Sequence, residues 1–249
     1  MVVLSLINVQ GVVLKYIKLG ESDKIITLLT DKLGKIDAVA HGARRTKSKF
    51  MASTQPFCYG EYQLHKGKNL YTISQSNIIN SFQTILMDLD KVAYGMYFLE
   101  LIDNITENEV KSISILALIL KTLYILTHDE VDLRLLRLVF DFKAISISGY
   151  MPQIVNCVKC GRRIKEGYFS INRGGMICTD CKDNQAVYGI NKETLNNLHI
   201  IKNIKLENLR NIKYDEKSIN YLQNIMTKYI LYQTETDFKS LSILDKIKR

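Results

Sequence analysis

Over the first 75 residues, apolar positions come in short runs broken by turn-forming residues, the mark of β-structure. The runs are Gly11 to Ile17, Lys24 to Thr30, Lys35 to His41, Phe57 to His65 and Leu70 to Gln75. Leu19-Gly20-Glu21-Ser22, Asp31-Lys32-Leu33-Gly34 and Lys66-Gly67-Lys68-Asn69 separate successive runs. In the third run Ile36, Ala38 and Ala40 share one face, while Lys35, Asp37, Val39 and His41 share the other. Five short strands of this kind predict a small closed sheet, an oligonucleotide-binding (OB) barrel that forms a nucleic-acid-binding domain, with an SH3-like barrel as the alternative. From about residue 83 the period becomes 3.6: Leu86, Leu89, Val92, Ala93, Met96, Leu99 and Ile102 predict an amphipathic helix to about Asn104. A second helix is predicted from about Val110 to Leu126. A third starts at Asp129 as N-cap and carries Leu133, Leu136, Leu138, Val139 and Phe142 to about Ile147, where Gly149 and Pro152 end it. Helical pattern resumes after Cys181, with starts at Asn191 and Asp215. Leu195, Leu198, Ile219, Leu222, Ile225 and Ile230 form an apolar face expected to lie against the three earlier helices. The pattern reads as an α+β, multi-domain chain: a five-stranded barrel over residues 1–80, then a helical domain over 81–249 with an insertion at about 153–186.

That insertion holds four of the five cysteines, as Cys157-Val-Lys-Cys160 and Cys178-Thr-Asp-Cys181. A two-residue gap lets both sulfurs of a pair turn onto one small cation, and the spacer suits a hairpin that brings the second pair across. Tyr168 to Ile171 reads as one strand, Asn172-Arg173-Gly174-Gly175 as the turn and Met176-Ile177 as the return. Gly161 suits the tight knuckle where backbone amides approach a sulfur. Two disulfides, or buried thiols paired only in spacing, are the alternatives; the spacing favours one Zn2+ on Cys157, Cys160, Cys178 and Cys181. A redox dithiol needs one such pair at a helix start, and here two face each other. With every position a cysteine, no place is left for a substrate, so the metal is expected to be structural.

Composition changes the picture mainly through charge. The chain has 249 residues, 47% hydrophobic and 24% charged, as expected of a folded soluble protein. No segment approaches a membrane span; the most apolar, Ile113 to Leu126, is interrupted by Lys121 and Thr122. The N-terminus lacks the positive region of a signal peptide, and paired cysteines with a lone Cys58 fit a reducing cytoplasm. Residues 1–80 carry 11 basic and 5 acidic side chains, whereas residues 81–150 carry 6 and 10, which assigns a polyanion partner to the N-terminal third. Its densest signal is Arg44-Arg45-Thr46-Lys47-Ser48-Lys49, with four cations and no acid. Such a loop needs water or an anion, and small residues let its side chains reach phosphates. The charge pattern adds Lys35, Lys66 and Lys68. Tyr16, Phe50, Phe57, Tyr59, Tyr62 and Tyr71 lie nearby; at strand spacing most are expected to fill the barrel, and no more than one or two to stack on bases. His41, His65, His128 and His199 are scattered, and neither a Walker loop nor a dinucleotide fingerprint is present, so no enzyme is expected. A hydrolase with a carboxylate site, which leaves weak marks, is the competing reading.

The order of these parts resembles the RecO family of bacterial DNA repair proteins. It is carried by Gly42-Ala43-Arg44-Arg45 with Ser48, by Gly149-Tyr150-Met151-Pro152 running into the two Cys-x-x-Cys pairs, and by Phe238-Lys239-Ser240. The resemblance covers the whole chain. It implies an OB-fold domain, a helical domain and a zinc-finger-like insertion whose full cysteine set some members lack. It also implies a non-catalytic role in recombinational repair in the bacterial cytoplasm, at the nucleoid. Such proteins bind single- and double-stranded DNA, anneal complementary strands and, with RecR, help load RecA onto strands coated by single-stranded-DNA-binding protein (SSB). Arg44, Arg45, Lys47 and Lys49 match the family's basic loop. If SSB's acidic tail is contacted, Arg134 and Arg137 would supply the cations. A zinc-ribbon regulator or RNA-binding adaptor that reads nucleic acid through the cysteine module is the alternative function.

Overall fold

The computed structural model describes residues 6–182 and 187–247. The end of the expected insertion, residues 183–186, and the last two residues, Lys248 and Arg249, lie outside them. Strands β1 (Leu6–Leu19), β2 (Asp23–Thr30), β3 (Gly34–Ala40), β4 (Tyr59–Lys66) and β5 (Tyr71–Asn80) close into a barrel in the order β1-β2-β3-β5-β4. All pairings are antiparallel except β3–β5. The long first strand is shared, its N-terminal half on β4 and its C-terminal half on β2, with an irregularity between Val13 and Lys15. This is the topology of the OB barrel, which decides between the two five-stranded alternatives. Val13, Ile26, Leu28, Ile36, Ala38, Leu64 and Ile73 fill its core. The alternation read in β3 is present, with Val39 on the opposite face covered as well.

Helix α1 (Leu89–Ile105) follows a separate 3-10 turn at Gln83–Met87, and Asp88 caps it by accepting the Lys91 N–H. Its inner stripe agrees only in part with the one the period suggested, since Ala93, Leu99 and Ile102 are buried as expected. Tyr94, Tyr97, Phe98, Leu99, Leu101 and Ile102 are buried, whereas Leu86, Leu89 and Met96 stay 55%, 72% and 38% exposed. Two causes act together. The break at Asp88 puts Leu86 out of phase with the helix, and three aromatic rings remove more area from water than the leucines they displace. Helix α2 (Ile113–His128) is capped by Ser112. Asp129 closes α2 instead of opening the next helix. The N-cap of α3 (Leu133–Ile147) is Asp132, whose carboxylate accepts the N–H groups of Arg134 and Leu135.

Three short strands, β6 (Gly167–Ser170), β7 (Gly175–Ile177) and β8 (Tyr188–Ile190), form a sheet in the order β7-β6-β8. Helices α4 (Lys192–Asn203) and α5 (Glu216–Thr234) start at their expected caps, Asn191 and Asp215, and α6 (Lys239–Ile247) ends the described chain. The fold parts into two compact units. One holds the barrel, α1 and α2, with the chain from Ser240 returning to it; the other runs from Glu130 to Lys239. Within the second unit α4 and α5 pack on α3. Of the three earlier helices, α3 belongs to this unit, while α1 and α2 belong to the unit of the barrel. Among the described residues no helix is long and apolar enough to cross a membrane.

Candidate nucleic-acid interface and metal centre

The basic loop leaves the barrel at the end of β3, where Gly42 takes a left-handed conformation (φ 68°) that turns the chain. Asp23, at the start of β2, fixes this root. Its carboxylate accepts the Gly42 N–H at 2.8 Å and the Ser22 hydroxyl at 3.0 Å, and meets His41 Nδ1 at 2.7 Å. The backbone bond from Gly42, with those from His41 and Ser22, holds the carboxyl down at about 2. One turn further, the Arg44 N–H bonds the Ser22 carbonyl at 2.9 Å and Arg44 Nη1 bonds the Gly20 carbonyl at 2.8 Å. Ala43 and Phe50 are buried, so the loop is anchored at both ends of its basic run. Between those anchors Arg44, Arg45, Lys47 and Lys49 are exposed, and none forms an ion pair with a carboxylate among the described residues.

Lys49 Nζ lies 4.8 Å over the Phe50 ring and donates to the Ser74 carbonyl, tying the loop to β5. The β4–β5 connection presents Lys66 and Lys68 to solvent, with Lys66 Nζ 5.8 Å over the Tyr71 ring. Because β5 pairs with β3 at Tyr71–Ala38, that connection sits beside the strand from which the basic loop departs. Lys35 is different. Its side chain is only 12% exposed, and its ammonium lies 3.3 Å from the Asp103 carboxylate and 2.5 Å from the Asp103 carbonyl. A lysine held this way is a strut of the fold, and it leaves the DNA-binding set.

The aromatics sort themselves by burial. Phe50, Phe57, Tyr62 and Tyr71 are core residues, and Tyr59 is half-buried with its hydroxyl on Gln10. Tyr16 is 36% exposed. Sequence pattern did not single out Asp23, although continuing the β2–β3 ladder one step past the Lys24–Ala40 pair sets it opposite His41.

In the second unit the β6–β7 hairpin brings the two cysteine pairs together. All four Sγ atoms lie within 4.8 Å of one another, and Cys160 and Cys178 are 3.8 Å apart. A disulfide would need about 2.05 Å, whereas thiolates about 2.3 Å from a tetrahedral cation sit about 3.8 Å apart. The four cysteines are free thiols, not disulfides, in a cluster that could hold a metal ion. Gly161 (φ 74°) turns the knuckle and donates to the Cys157 carbonyl, and the Cys178 N–H points at the Cys157 sulfur at 3.4 Å. Burial works against ionisation of Cys157, yet the amides of Cys178, Cys160 and Lys159 bring its thiol down to about 6. Arg162, 3.4 Å from the Cys160 sulfur, lowers that thiol too. Hydrogen bonds among the thiols push Cys181 up to about 12. Four sulfurs so close cannot all ionise unless a cation lies between them, and the set offers only soft donors in tetrahedral reach. Cys58 stands apart in the barrel core, where burial pushes its thiol up.

The arginines proposed for an acidic tail fare unequally. Arg134 is held by Asp132 at 2.7 Å and Glu216 at 3.4 Å. Arg137 is 2% exposed, beside Asp141 and bonded to the Thr227 hydroxyl. A buried guanidinium with internal partners cannot meet a partner's tail, which removes Arg137 from that role.

Two family models match the chain, Recombination protein O N terminal over residues 4–82 and Recombination protein O C terminal over residues 86–242. Among curated proteins, the DNA repair protein RecO of Clostridium novyi is 35% identical, over 99% of this chain and 96% of its own length. The RecO protein of Acetivibrio thermocellus is 34% identical over 97% of this chain and 98% of its own, and that of Alkaliphilus metalliredigens 32% over 97% and 100%. With matching models over nearly its full length and an OB barrel joined to a helical unit that carries a four-cysteine cluster, the chain belongs to the Recombination protein O (RecO) family.

Proposed function

We propose that this protein is a non-catalytic mediator of DNA repair and homologous recombination. It binds single- and double-stranded DNA through its barrel, anneals complementary strands and, with RecR, helps load RecA onto SSB-coated DNA. It works in the bacterial cytoplasm, at the nucleoid. The observation that carries this reading is the loop from Arg44 to Lys49: four exposed cations that pair with no carboxylate among the described residues, on a root fixed by Asp23. Arg44, Arg45, Lys47 and Lys49 hold phosphates, and Lys66 and Lys68 extend the track. Two DNA strands repel each other, and SSB resists their pairing. A surface that neutralises phosphates without reading base edges lowers that repulsion and leaves the edges free to pair. Nothing in the sequence of events requires bond cleavage. One Zn2+ on Cys157, Cys160, Cys178 and Cys181 would hold the insertion together as a structural ion.

The test is an annealing assay with SSB-coated complementary oligonucleotides, with and without RecR. The protein is expected to accelerate annealing. Arg44→Ala with Arg45→Ala is expected to slow it, to weaken binding alike on all sequences, and to flatten the salt dependence by about 1–2 units of log–log slope. Binding and annealing at the wild-type level in the double variant would remove the loop from the mechanism.

A further inference from the structure

Phosphate contacts alone do not distinguish a single strand from a duplex; an exposed aromatic face does, because only unpaired bases can stack on it. Among the aromatics of the five barrel strands and the basic loop, Tyr16 is the one with an exposed ring. It lies on β1 opposite Ile26, just before the β1–β2 turn at Gly20 to Ser22 on which Arg44 rests. One side of the ring is occupied. Lys24 Nζ sits 4.2 Å from its centroid, and Lys24 is itself only 4% exposed, held behind the ring by Thr54 at 3.3 Å. The charge of Arg44 reaches this buried ammonium and, after burial, is the second influence that lowers its proton affinity. Ring, buried cation and exposed guanidinium are therefore consecutive neighbours. A lysine fixed under a ring keeps that ring from turning, and its charge acts on the π-face from below. Tyr16 nevertheless stays 36% exposed, near the exposed Arg44.

We infer that Tyr16 is a stacking platform for an unpaired nucleobase, placed so that a strand held by its phosphates on the Arg44–Lys49 loop lays one base on the ring. This assignment rests on the reading of the loop as the DNA-binding element. It gives one surface two separable components: cations that act on any nucleic acid, and an aromatic that acts only where bases are unpaired.

Fluorescence anisotropy on the full-length protein tests it, with a single-stranded oligonucleotide, the same sequence as a duplex, and a strand carrying an abasic tract. Tyr16→Ala is expected to lose roughly five- to a hundred-fold in single-strand affinity. Duplex and abasic-strand affinities should stay within about twofold, and the salt slope should not change, since no phosphate contact is removed. Tyr16→Phe should bind as the wild type, because the π-face and not the hydroxyl does the work. Tyr16→Leu, which keeps apolar bulk without a π-face, should behave like Tyr16→Ala and guards against a folding defect in the smaller variant. Wild-type single-strand affinity in Tyr16→Ala or Tyr16→Leu overturns the inference, as does an equal loss on all three nucleic acids. Arg44→Ala with Arg45→Ala, run alongside, separates the two ideas. If that variant weakens on every substrate while Tyr16→Ala weakens on none, the loop reading stands and the platform falls. If that variant binds every substrate as the wild type does, the loop reading and the platform placed on it fall together.

Discussion

Removing a negative charge from a polyanion-binding surface ordinarily strengthens binding, yet Asp23→Ala is expected to weaken it. The carboxylate is not a competitor for phosphate, because it is already engaged with the Gly42 N–H, His41 and Ser22. Its loss frees the root of the loop, and Arg44 and Arg45 must then be ordered at the moment of binding, which weakens it. A three- to tenfold drop in single-strand affinity by anisotropy is the expected outcome, and a rise would show that charge outweighs placement. The same pin predicts an acid response. The folded carboxyl titrates at about 2, below its ordinary 3.8, so its contribution is complete above pH ~4 and is lost as pH falls towards 2. NMR titration of the Gly42 amide would follow that loss directly. At this scale the cysteines were legible because all four ligands lie in one 25-residue stretch. Lys35 was not, because its fate depends on Asp103, 68 residues away in sequence.

Periodicity located the strands and helices well but did not fix which face turns inward. The stripe predicted for α1 was right in Ala93, Leu99 and Ile102, but the helix also turns Tyr94, Tyr97 and Phe98 inward and leaves Leu89 in water. The hairpin of the cysteine module was legible, since the turn residues Asn172 to Gly175 and the strands on either side are local. β8 was not: it joins β6 through Gly167–Ile190, and a three-residue strand gives no period to read. For this module the expected role is that of a clamp. Cys157→Ser removes the sulfur on which the Cys178 amide converges, and with it one corner of the tetrahedron. Metal analysis of the purified variant should show loss of one zinc equivalent, and its melting temperature should fall by several degrees. Single-strand affinity at moderate temperature should remain within about twofold. A variant that keeps its zinc and its melting temperature would remove the clamp role.

For the molecule as a whole, net charge is a poor guide to where DNA binds. Residues 130–239 carry 17 basic and 12 acidic side chains, more positive in balance than the rest of the chain. Many of those cations are already answered: Arg134 by Asp132, Arg137 by Asp141 and Arg162 by Asp180. Among the described residues the cations of the barrel loop pair with no carboxylate, and on the proposed reading that local imbalance is what draws phosphate. The unit boundary matters for testing this. The family models change over between residues 82 and 86, near the end of β5, but the barrel's own unit continues to Asp129. Lys35 meets Asp103, the Glu109 N–H bonds the Lys35 carbonyl, Gly34 has no room for a side chain against Val110, and the Phe57 ring lies against Gly95. A fragment starting at residue 81 would therefore tear one compact unit apart, whereas Glu130 to Lys239 is both contiguous and compact. That fragment, expressed alone, is expected to fold, to bind one zinc, and to bind single-stranded DNA more than tenfold more weakly than the full chain at equal salt. Circular dichroism, zinc content and anisotropy on one preparation would decide it. If the fragment folds, binds zinc and retains the full affinity, the cysteine module and its helices are the reading head, and the cations of the barrel loop only keep the protein in solution.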